Sequence, residues 1–245
     1  MLTATNGSRA ALHEHALAYH AEPGRTPVSV EKQAVLARVA PGSRVLEVGA
    51  HTGFFSACLR ERGCRVTALE VDPRAASHAA ANADRVVVGD VEDSTVRARL
   101  AGPFDVVLFM HVLEHLVDPW RVLRAMRGLV APGGRTIVLL PSVACWRVRK
   151  ALFFDGAFEY EQTGILDRTH VRFFTLDSGR ALLEASGYTV TAWESVDTCV
   201  PLERRLSQLP VASWLAPRWR AWLSSRHPNL CTEIALFDAA PRGEG

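Results

Sequence analysis

Uninterrupted apolar runs alternate with amphipathic segments along most of this chain. The runs VVLFM and TIVLL contain no polar alternation, which is typical of strands that are covered on both faces. The segments between such runs carry apolar residues at helical spacing. This alternation of strand and helix indicates an α/β fold built on a mostly parallel sheet.

The pattern also sets approximate bounds for the elements. Strands are predicted over 44–48, 65–70, 85–88, 104–110, 135–140, 188–194 and 232–237. Helices are predicted over 29–40, 53–62, 73–82, 119–130 and 176–186. Residues 145–160 mix aromatic and basic side chains without a clear period and suggest an insertion at the mouth of a site. The tryptophan-rich stretch 201–228 is expected to form two short amphipathic helices.

Length and composition are those of an ordinary globular protein. The 245 residues include 48% hydrophobic and 22% charged side chains, and the formal net charge is +2. So small a charge gives no reason to expect nucleic acid as a partner. The length allows one or two domains, but no repeat or linker divides the chain. We expect one domain over 1–245, with a lid and first helix at 1–43, a cofactor-binding core at 44–142, an acceptor-side insertion at 143–170, and a C-terminal sheet half at 171–245 containing an insertion at 197–230.

Cysteine usage and the N-terminal segment favour a cytoplasmic protein. The five cysteines form no C-x-x-C pair, so reduced thiols are the simplest interpretation. Residues 1–20 lack the apolar core of a secretion signal, and no apolar run approaches the ~20 residues that span a bilayer. The mixture of arginine and tryptophan at 201–228 still allows peripheral membrane contact. The pattern leaves both a monomer and a homodimer open.

The segment VLEVGAHTGFFS joins a strand to a helix through a turn that contains Gly49 and Gly53. Glycines at these positions let the backbone turn tightly and approach a ligand, and the following helix offers free N–H groups. A dinucleotide-binding fingerprint would need a further glycine where His51 stands. The turn therefore indicates a ligand site of a different kind.

Three acids lie at the carboxyl ends of three neighbouring predicted strands. Glu47 is on the first strand, Glu70 ends the second and Asp90 follows the third. A carboxylate at Glu70 can accept hydrogen bonds from both hydroxyls of a ribose, and Asp90 can receive an adenine amino group. Together these acids predict a pocket for a nucleoside that carries positive charge. Their negative charge would disfavour a pyrophosphate.

The order LEVGAHTG, TALEVD, VGDVED, FDVVLFMHVLEHLVDPWRVL and LVAPGGRTIVLLPS resembles the class I S-adenosylmethionine-dependent methyltransferases over residues 44–142. The L-E-H after the fourth strand is similar to that of the ubiquinone-type O-methyltransferases. The stretch GAFEYEQTGILDRTHVRFFTLDSGRALLEASGY resembles bacterial small-molecule methyltransferases. The resemblance implies a Rossmann-like, doubly wound, seven-stranded sheet with helices on both faces and an antiparallel final strand. It also implies S-adenosylmethionine as the cofactor.

The resemblance assigns residues to this methyl donor. Glu47 and the two glycines would surround the methionine moiety, Glu70 would hold the ribose, and Asp90 with Val91 would frame the adenine. The full implied set is Glu47, Gly49, Ala50, His51, Gly53, Phe54, Glu70, Val71, Asp90, Val91, Met110 and His111. The family usually has glycine where this chain has His51. A negative φ would accommodate the histidine, whereas a positive φ would force the turn to shift and weaken donor binding.

A second group of polar residues follows the fourth strand. His111, Glu114 and His115 share one face if the chain turns helical there, and the resemblance implies that His170 borders the same pocket. In one interpretation His115 or His170 is a general base, with Glu114 beside it. In another, His111, Glu114, His115 and His170 ligate a divalent metal, as in relatives with E-x-x-E-H and a distal histidine. A purely structural polar cluster is the third interpretation.

These features predict methyl transfer from S-adenosylmethionine to an oxygen, with nitrogen as the second choice, of a small-molecule acceptor such as a natural-product or sugar intermediate. Two interpretations stay open for the aromatic segments at 146–160 and 201–228, a core or dimer contact and a roof over the acceptor pocket, and the segment with Tyr19 is a candidate lid over the donor. A nicotinamide-dependent oxidoreductase and a non-catalytic cofactor-binding protein are the alternatives. Donor binding without catalysis would favour the latter.

Overall fold

The computed structural model describes residues 28–208 and 214–243, so Tyr19 and the rest of the expected lid at 1–27 lie outside the described residues. The strands are β1 (Arg44–Val48), β2 (Arg65–Glu70), β3 (Arg85–Val88), β4 (Phe104–Met110), β5 (Val130–Pro141), β6 (Tyr188–Thr198) and β7 (Thr232–Pro241). The α-helices are α1 (Val30–Leu36), α2 (Phe54–Glu61), α3 (Pro73–Ala79), α4 (Ser94–Arg97), α5 (Pro119–Met126), α6 (Trp146–Lys150), α7 (Leu176–Ala185), α8 (Glu203–Gln208), α9 (Leu215–Arg226) and α10 (Pro228–Cys231).

The strands form one seven-stranded sheet in the order β3-β2-β1-β4-β5-β7-β6. Strands β1 to β5 run parallel to one another, whereas β7 lies between β5 and β6 and is antiparallel to both. This topology confirms the predicted doubly wound fold with an antiparallel final strand.

Both faces of the central strands are buried. In β4, Val107 and Phe109 belong to the apolar cluster on one face, while Val106 and Leu108 belong to the cluster on the other. Since successive side chains of a strand point to opposite faces, both positions must be apolar. The lack of polar alternation in the sequence follows directly from this arrangement.

The structure corrects several predicted bounds. The helix predicted over 119–130 ends at Met126, a 3₁₀ turn (Arg127–Leu129) follows, and β5 already begins at Val130. Helix α4 has only four residues, too few to show a period in the sequence. Within 145–160, α6 continues into a π-helical turn (Ala151–Asp155). Across the described parts of the chain, no helix has the length and apolarity needed to cross a bilayer.

The order of the strands determines where a ligand can bind. From β1 the chain winds outward through β2 and β3, and then returns to place β4 on the other side of β1. In such sheets the crevice at this reversal, beyond the carboxyl ends of the strands, is the usual ligand site. Val48 of β1 pairs with Phe109 of β4, so the glycine turn and the residues after Met110 lie side by side there.

Candidate active site

The turn between β1 and α2 has the conformation that glycine permits. Gly49 and Gly53 have φ values of 73° and 78°, in the left-handed region that other residues rarely adopt. A Cβ atom on Gly53 would lie 2.8 Å from the Cα atom of Ala79 in α3, and one on Gly49 would lie 2.6 Å from Cγ2 of Val112. Both glycines are therefore required by conformation and by packing.

His51 adopts the same left-handed conformation, with φ of 51°. This is the positive-φ case, so the expected shift of the turn and the weaker donor binding stay predictions. The N–H of His51 donates a hydrogen bond of 2.7 Å to Oε2 of Glu70, which holds the strained residue in place. A left-handed residue other than glycine costs roughly 1–2 kcal/mol, and histidine is among the residues that tolerate it better.

Glu70 lies at the end of β2 and faces the glycine turn. Its Oε2 accepts the N–H of His51, and its Oε1 accepts the N–H of Asp72 at 2.9 Å. A carboxylate offers about four lone-pair positions, so this buried side chain retains capacity for two further donors. Val71, immediately after it, is 51% exposed and presents an apolar surface at the same edge.

Glu47 is a buried carboxyl near the end of β1, just before the glycine turn, and it contacts α2. Its Oε2 accepts a hydrogen bond of 2.5 Å from Oγ of Ser56, which comes from the first turn of α2. Burial raises the pKa of Glu47 to about 7, although the Ser56 hydrogen bond and the charge of Lys32 oppose the rise. The group therefore changes ionisation near neutral pH.

Helix α1 brings two further charged residues to this edge, Lys32 and Glu31. Nζ of Lys32 lies 4.9 Å from the centre of the Phe54 ring, at the start of α2, and its charge acts on Glu47. Oε2 of Glu31 lies 3.1 Å from Nε2 of His111. In the sequence both residues belong to an amphipathic helix with ordinary surface charges, and no local motif marks them.

The other predicted donor-binding residues lie at or just after the carboxyl ends of β1, β3 and β4. Asp90 accepts the N–H of Glu92 at 2.8 Å, and Val91 is buried. Asp90 also borders a cleft of about 330 Å³ that is lined by Asp90, Glu92, Asp93, Val117, Asp118 and Arg121. Ala50 and Phe54 are buried, and Met110 packs against the apolar cluster on the α2 side of the sheet.

His111 follows β4 in the left-handed conformation, with φ of 56°. It precedes the 3₁₀ turn (Leu113–His115), so the expected helical face containing His111 does not form. Its Nδ1 nevertheless lies 3.5 Å from Oε1 of Glu114, and its Nε2 contacts Glu31. Burial alone would lower the pKa of His111, but the two carboxylates outweigh it and raise the pKa to about 10. The ring is a cation at neutral pH.

Glu114, His115 and His170 form a compact cluster despite their separation in sequence. One carboxylate oxygen and one nitrogen of each ring lie within 4.8 Å of one another, and the two ring centres are 4.7 Å apart. The N–H groups of Val171 and Arg172 both donate to the backbone oxygen of Glu114 at 3.0 Å. These bonds fix the loop carrying His170 to the 3₁₀ turn.

The charge of this cluster is concentrated on Glu114. Its side chain is fully buried, and neither carboxylate oxygen has a hydrogen-bond partner among the described residues. Burial tends to raise the pKa of Glu114, yet contact with the His111 cation outweighs it and lowers the pKa. Burial lowers the pKa of His170, whose Nδ1 lies 3.0 Å from the Ile165 backbone oxygen. An ionised carboxylate thus faces a neutral imidazole.

The fold and the crevice together define a class of protein, the S-adenosylmethionine-dependent methyltransferases with a Rossmann-like sheet. A family model described as a methyltransferase domain matches residues 21–192, which is more than half of the chain. The chain belongs to this methyltransferase family. This membership excludes the nicotinamide-dependent oxidoreductase as an interpretation.

Individual relatives agree with the family. A ubiquinone biosynthesis O-methyltransferase of Caulobacter sp. (strain K31) is 39% identical over 101 residues, or 40% of this chain and 40% of that protein. The chain therefore matches well under half of that relative's length. A methyltransferase structure from Archaeoglobus fulgidus superposes with a TM-score of 0.61 at 16% identity, covering 85% of this chain and 93% of that chain. A Thermotoga maritima structure described as a possible histamine N-methyltransferase gives 0.58 at 19%, covering 87% and 88%. At these identities the two structures show the fold alone.

Proposed function

We propose that this enzyme transfers a methyl group from S-adenosylmethionine to a hydroxyl oxygen of a small-molecule acceptor. The observation that carries the proposal is the cluster of Glu114, His115 and His170 at the carboxyl edge of β4, next to the glycine turn of β1. It would supply imidazole nitrogens where an acceptor meets the donor. The relative from Caulobacter, named as an O-methyltransferase, supports oxygen over nitrogen.

The donor is proposed to lie across the ends of β1, β2 and β3. Glu47 would pair with the ammonium of the methionine moiety, and Lys32 would pair with its carboxylate, because both side chains contact the first turn of α2, Lys32 at the Phe54 ring and Glu47 at Ser56. Glu70 retains the lone pairs to accept both ribose hydroxyls. Val71 and Val91 would contact the adenine, with Asp90 receiving its amino group.

For this reaction the protein mainly needs to align the acceptor oxygen with the methyl group of the donor and to remove the hydroxyl proton of the acceptor. The donor supplies an electrophilic methyl group and leaves as S-adenosylhomocysteine, with sulfur keeping the electron pair of the broken C–S bond. We assign His115 as the general base, because it is only half-buried whereas His170 is almost fully buried. Its ring would take the acceptor's hydroxyl proton as oxygen bonds to the methyl carbon. The ionised Glu114 would stabilise the resulting imidazolium.

The acceptor is proposed to enter past residues 143–170. Phe173 lies 6.3 Å from the His170 ring and 5.7 Å from the Phe158 ring, and Phe158 lies 5.9 Å from Tyr160 (ring centres). This row of rings leads from the cluster to the surface, where Tyr160 is exposed. Such a wall suits a flat, largely apolar acceptor that carries a hydroxyl group.

The test combines donor binding with methyl transfer. The purified protein is incubated with isotope-labelled S-adenosylmethionine and a panel of phenols, catechols, sugars and amines, and products are identified by mass spectrometry. We expect labelled methyl ethers from hydroxyl acceptors. The variant His115→Gln should lose turnover while calorimetry shows unchanged binding of S-adenosylhomocysteine, and Glu70→Ala should weaken that binding.

His227→Gln is the matched control, because His227 is an exposed histidine outside the cluster and its replacement should leave turnover unchanged. Full turnover in His115→Gln would contradict the base assignment. Labelled methylamines as the main products would contradict oxygen transfer. Donor binding without turnover on any acceptor, the panel and cell extracts included, would favour the non-catalytic alternative.

A divalent metal is the second candidate for activating the acceptor. Glu114 keeps two buried oxygens without a hydrogen-bond partner among the described residues, and with His115 and His170 it offers the two imidazoles and one carboxylate that zinc accepts. A bound cation would lower the pKa of the acceptor hydroxyl. His111 does not fit the predicted fourth ligand position, because both its ring nitrogens face carboxylates and its pKa is raised to about 10. Stoichiometric metal in the purified protein, with turnover lost on chelation, is expected if this candidate is correct; full turnover after chelation would exclude it.

A further inference from the structure

The ring of His115 contacts one residue of the loop that carries His170. Its Nδ1 lies 3.1 Å from the hydroxyl oxygen of Thr169 and 3.3 Å from the backbone oxygen of the same residue. The Thr169 hydroxyl in turn lies 2.7 Å from Oδ1 of Asp167, which also accepts the Thr169 N–H at 2.8 Å. Asp167, Thr169 and His115 thus form a continuous chain of hydrogen bonds.

The direction of each bond follows from the groups involved. The Thr169 hydroxyl donates its hydrogen to Oδ1 of Asp167. That hydroxyl can then only accept from His115. The backbone oxygen of Thr169 is also an acceptor. Both contacts therefore require a hydrogen on Nδ1 of His115, and in the neutral ring Nε2 carries the lone pair.

We propose that Thr169 and Asp167 are positioning residues that hold His115 in the Nδ1–H tautomer and present its Nε2 lone pair for catalysis. This proposal rests on the proposed function, because the lone pair on Nε2 is what a general base uses. Neither residue needs to touch the acceptor. The donor-binding residues lie on other elements, so donor affinity should not depend on this chain of bonds.

The loop backbone is fixed independently of the Thr169 side chain. Val171 and Arg172 donate to the Glu114 backbone oxygen, and the N–H of His170 donates to the Asp167 backbone oxygen at 3.0 Å. Replacing Thr169 by valine, which has nearly the same shape, therefore removes the hydroxyl with little change to the fold. Thr169→Ser keeps the hydroxyl and serves as the matched control.

The test reads the tautomer directly, without relying on activity. Nitrogen-15 NMR of the full-length protein distinguishes an Nδ1–H ring from an Nε2–H ring, and His115→Gln assigns the resonance. We expect Nδ1–H in the native protein and in Thr169→Ser, and a detectable population of Nε2–H in Thr169→Val. Turnover in Thr169→Val should fall by about 10- to 100-fold, as is typical when a residue that orients a functional histidine is lost, with KM for the donor unchanged.

Two results would overturn the proposal. One is an unchanged Nδ1–H tautomer together with native turnover in Thr169→Val. The other is equal loss of turnover in Thr169→Ser and Thr169→Val, which would indicate a packing role instead of the hydroxyl. A changed tautomer with native turnover would support the chain of hydrogen bonds but contradict the assignment of His115 as the base. The NMR readout therefore tests this proposal separately from the proposed function.

Discussion

Raising the pH from about 6 to about 8 is expected to tighten donor binding, because Glu47 ionises within this range. Its pKa is raised to about 7 by burial, and only the ionised carboxylate can pair with the ammonium of the donor. The charged or polar groups that act on Glu47 are Ser56, Lys32 and Glu70. Binding of a cation beside Glu47 should also lower its pKa, so a proton should be released.

The size of the effect follows from the pKa. A group with a pKa of about 7 is roughly one-tenth ionised at pH 6 and roughly nine-tenths ionised at pH 8. If only the ionised form binds, the dissociation constant should fall about tenfold across this range, which equals about 1.4 kcal/mol. Proton release on binding should be largest near pH 6, where most of the protein still holds the proton.

Calorimetric titration with S-adenosylhomocysteine measures both quantities. Each pH is run in two buffers of different ionisation enthalpy, so that the difference in heat gives the number of protons released. The variant Glu47→Gln cannot ionise, and its affinity should be weak and nearly independent of pH. An equally steep pH dependence in Glu47→Gln, or a flat one in the native protein, would refute the reasoning.

Three further predictions concern stability, and urea unfolding measures each. Gly53→Ala should lose roughly 2–5 kcal/mol, the sum of left-handed strain and overpacking against Ala79, and a loss under about 1 kcal/mol would contradict the packing argument. His51→Gly should gain up to about 1 kcal/mol, since relief of strain exceeds the extra freedom of the unfolded chain; a loss would show that the histidine side chain stabilises the turn. Because the native pKa of Glu47 lies above its ordinary value of 4.5, its contribution to stability is complete below about pH 4.5 and is lost as the pH rises towards 7, by roughly 3 kcal/mol. The stability of Glu47→Gln relative to the native protein should therefore rise over that range, and a constant difference would contradict the raised pKa.

Much of the sheet could be predicted from sequence because its strands are buried on both faces. The runs that contain Val106 and Ile137 are short, rich in β-branched residues and free of polar alternation, which favours a covered strand over a buried helix, and each predicted strand was found. Bounds were less predictable where two elements meet without a break. The helix ending at Met126 and the strand beginning at Val130 are joined by a 3₁₀ turn. Since Met126, Leu129 and Val130 keep the apolar spacing of a helix, the sequence does not mark the boundary.

The residues of the candidate site also differ in how far the sequence predicts their proximity. Residues at the ends of adjacent parallel strands, such as Glu47 and Glu70, could be placed together from topology alone. The contact between His115 and His170 could be expected only from the family resemblance, because nothing local links them. Lys32, Glu31 and Thr169 could not be selected, since each becomes notable only through a partner brought close by the tertiary structure.

The position of β7 between β5 and β6 has a consequence for the order of folding. Until the chain through Pro241 is available, β5 has no partner on its outer edge and β6 has nothing to attach it to the sheet. The proposed donor crevice at β1 to β4 can assemble earlier, from segments that are close in sequence. A shortened chain that lacks β7 would expose two unpaired strand edges, which favour pairing with other chains. Such a chain is expected to aggregate even though it still contains the segments that form the proposed donor crevice.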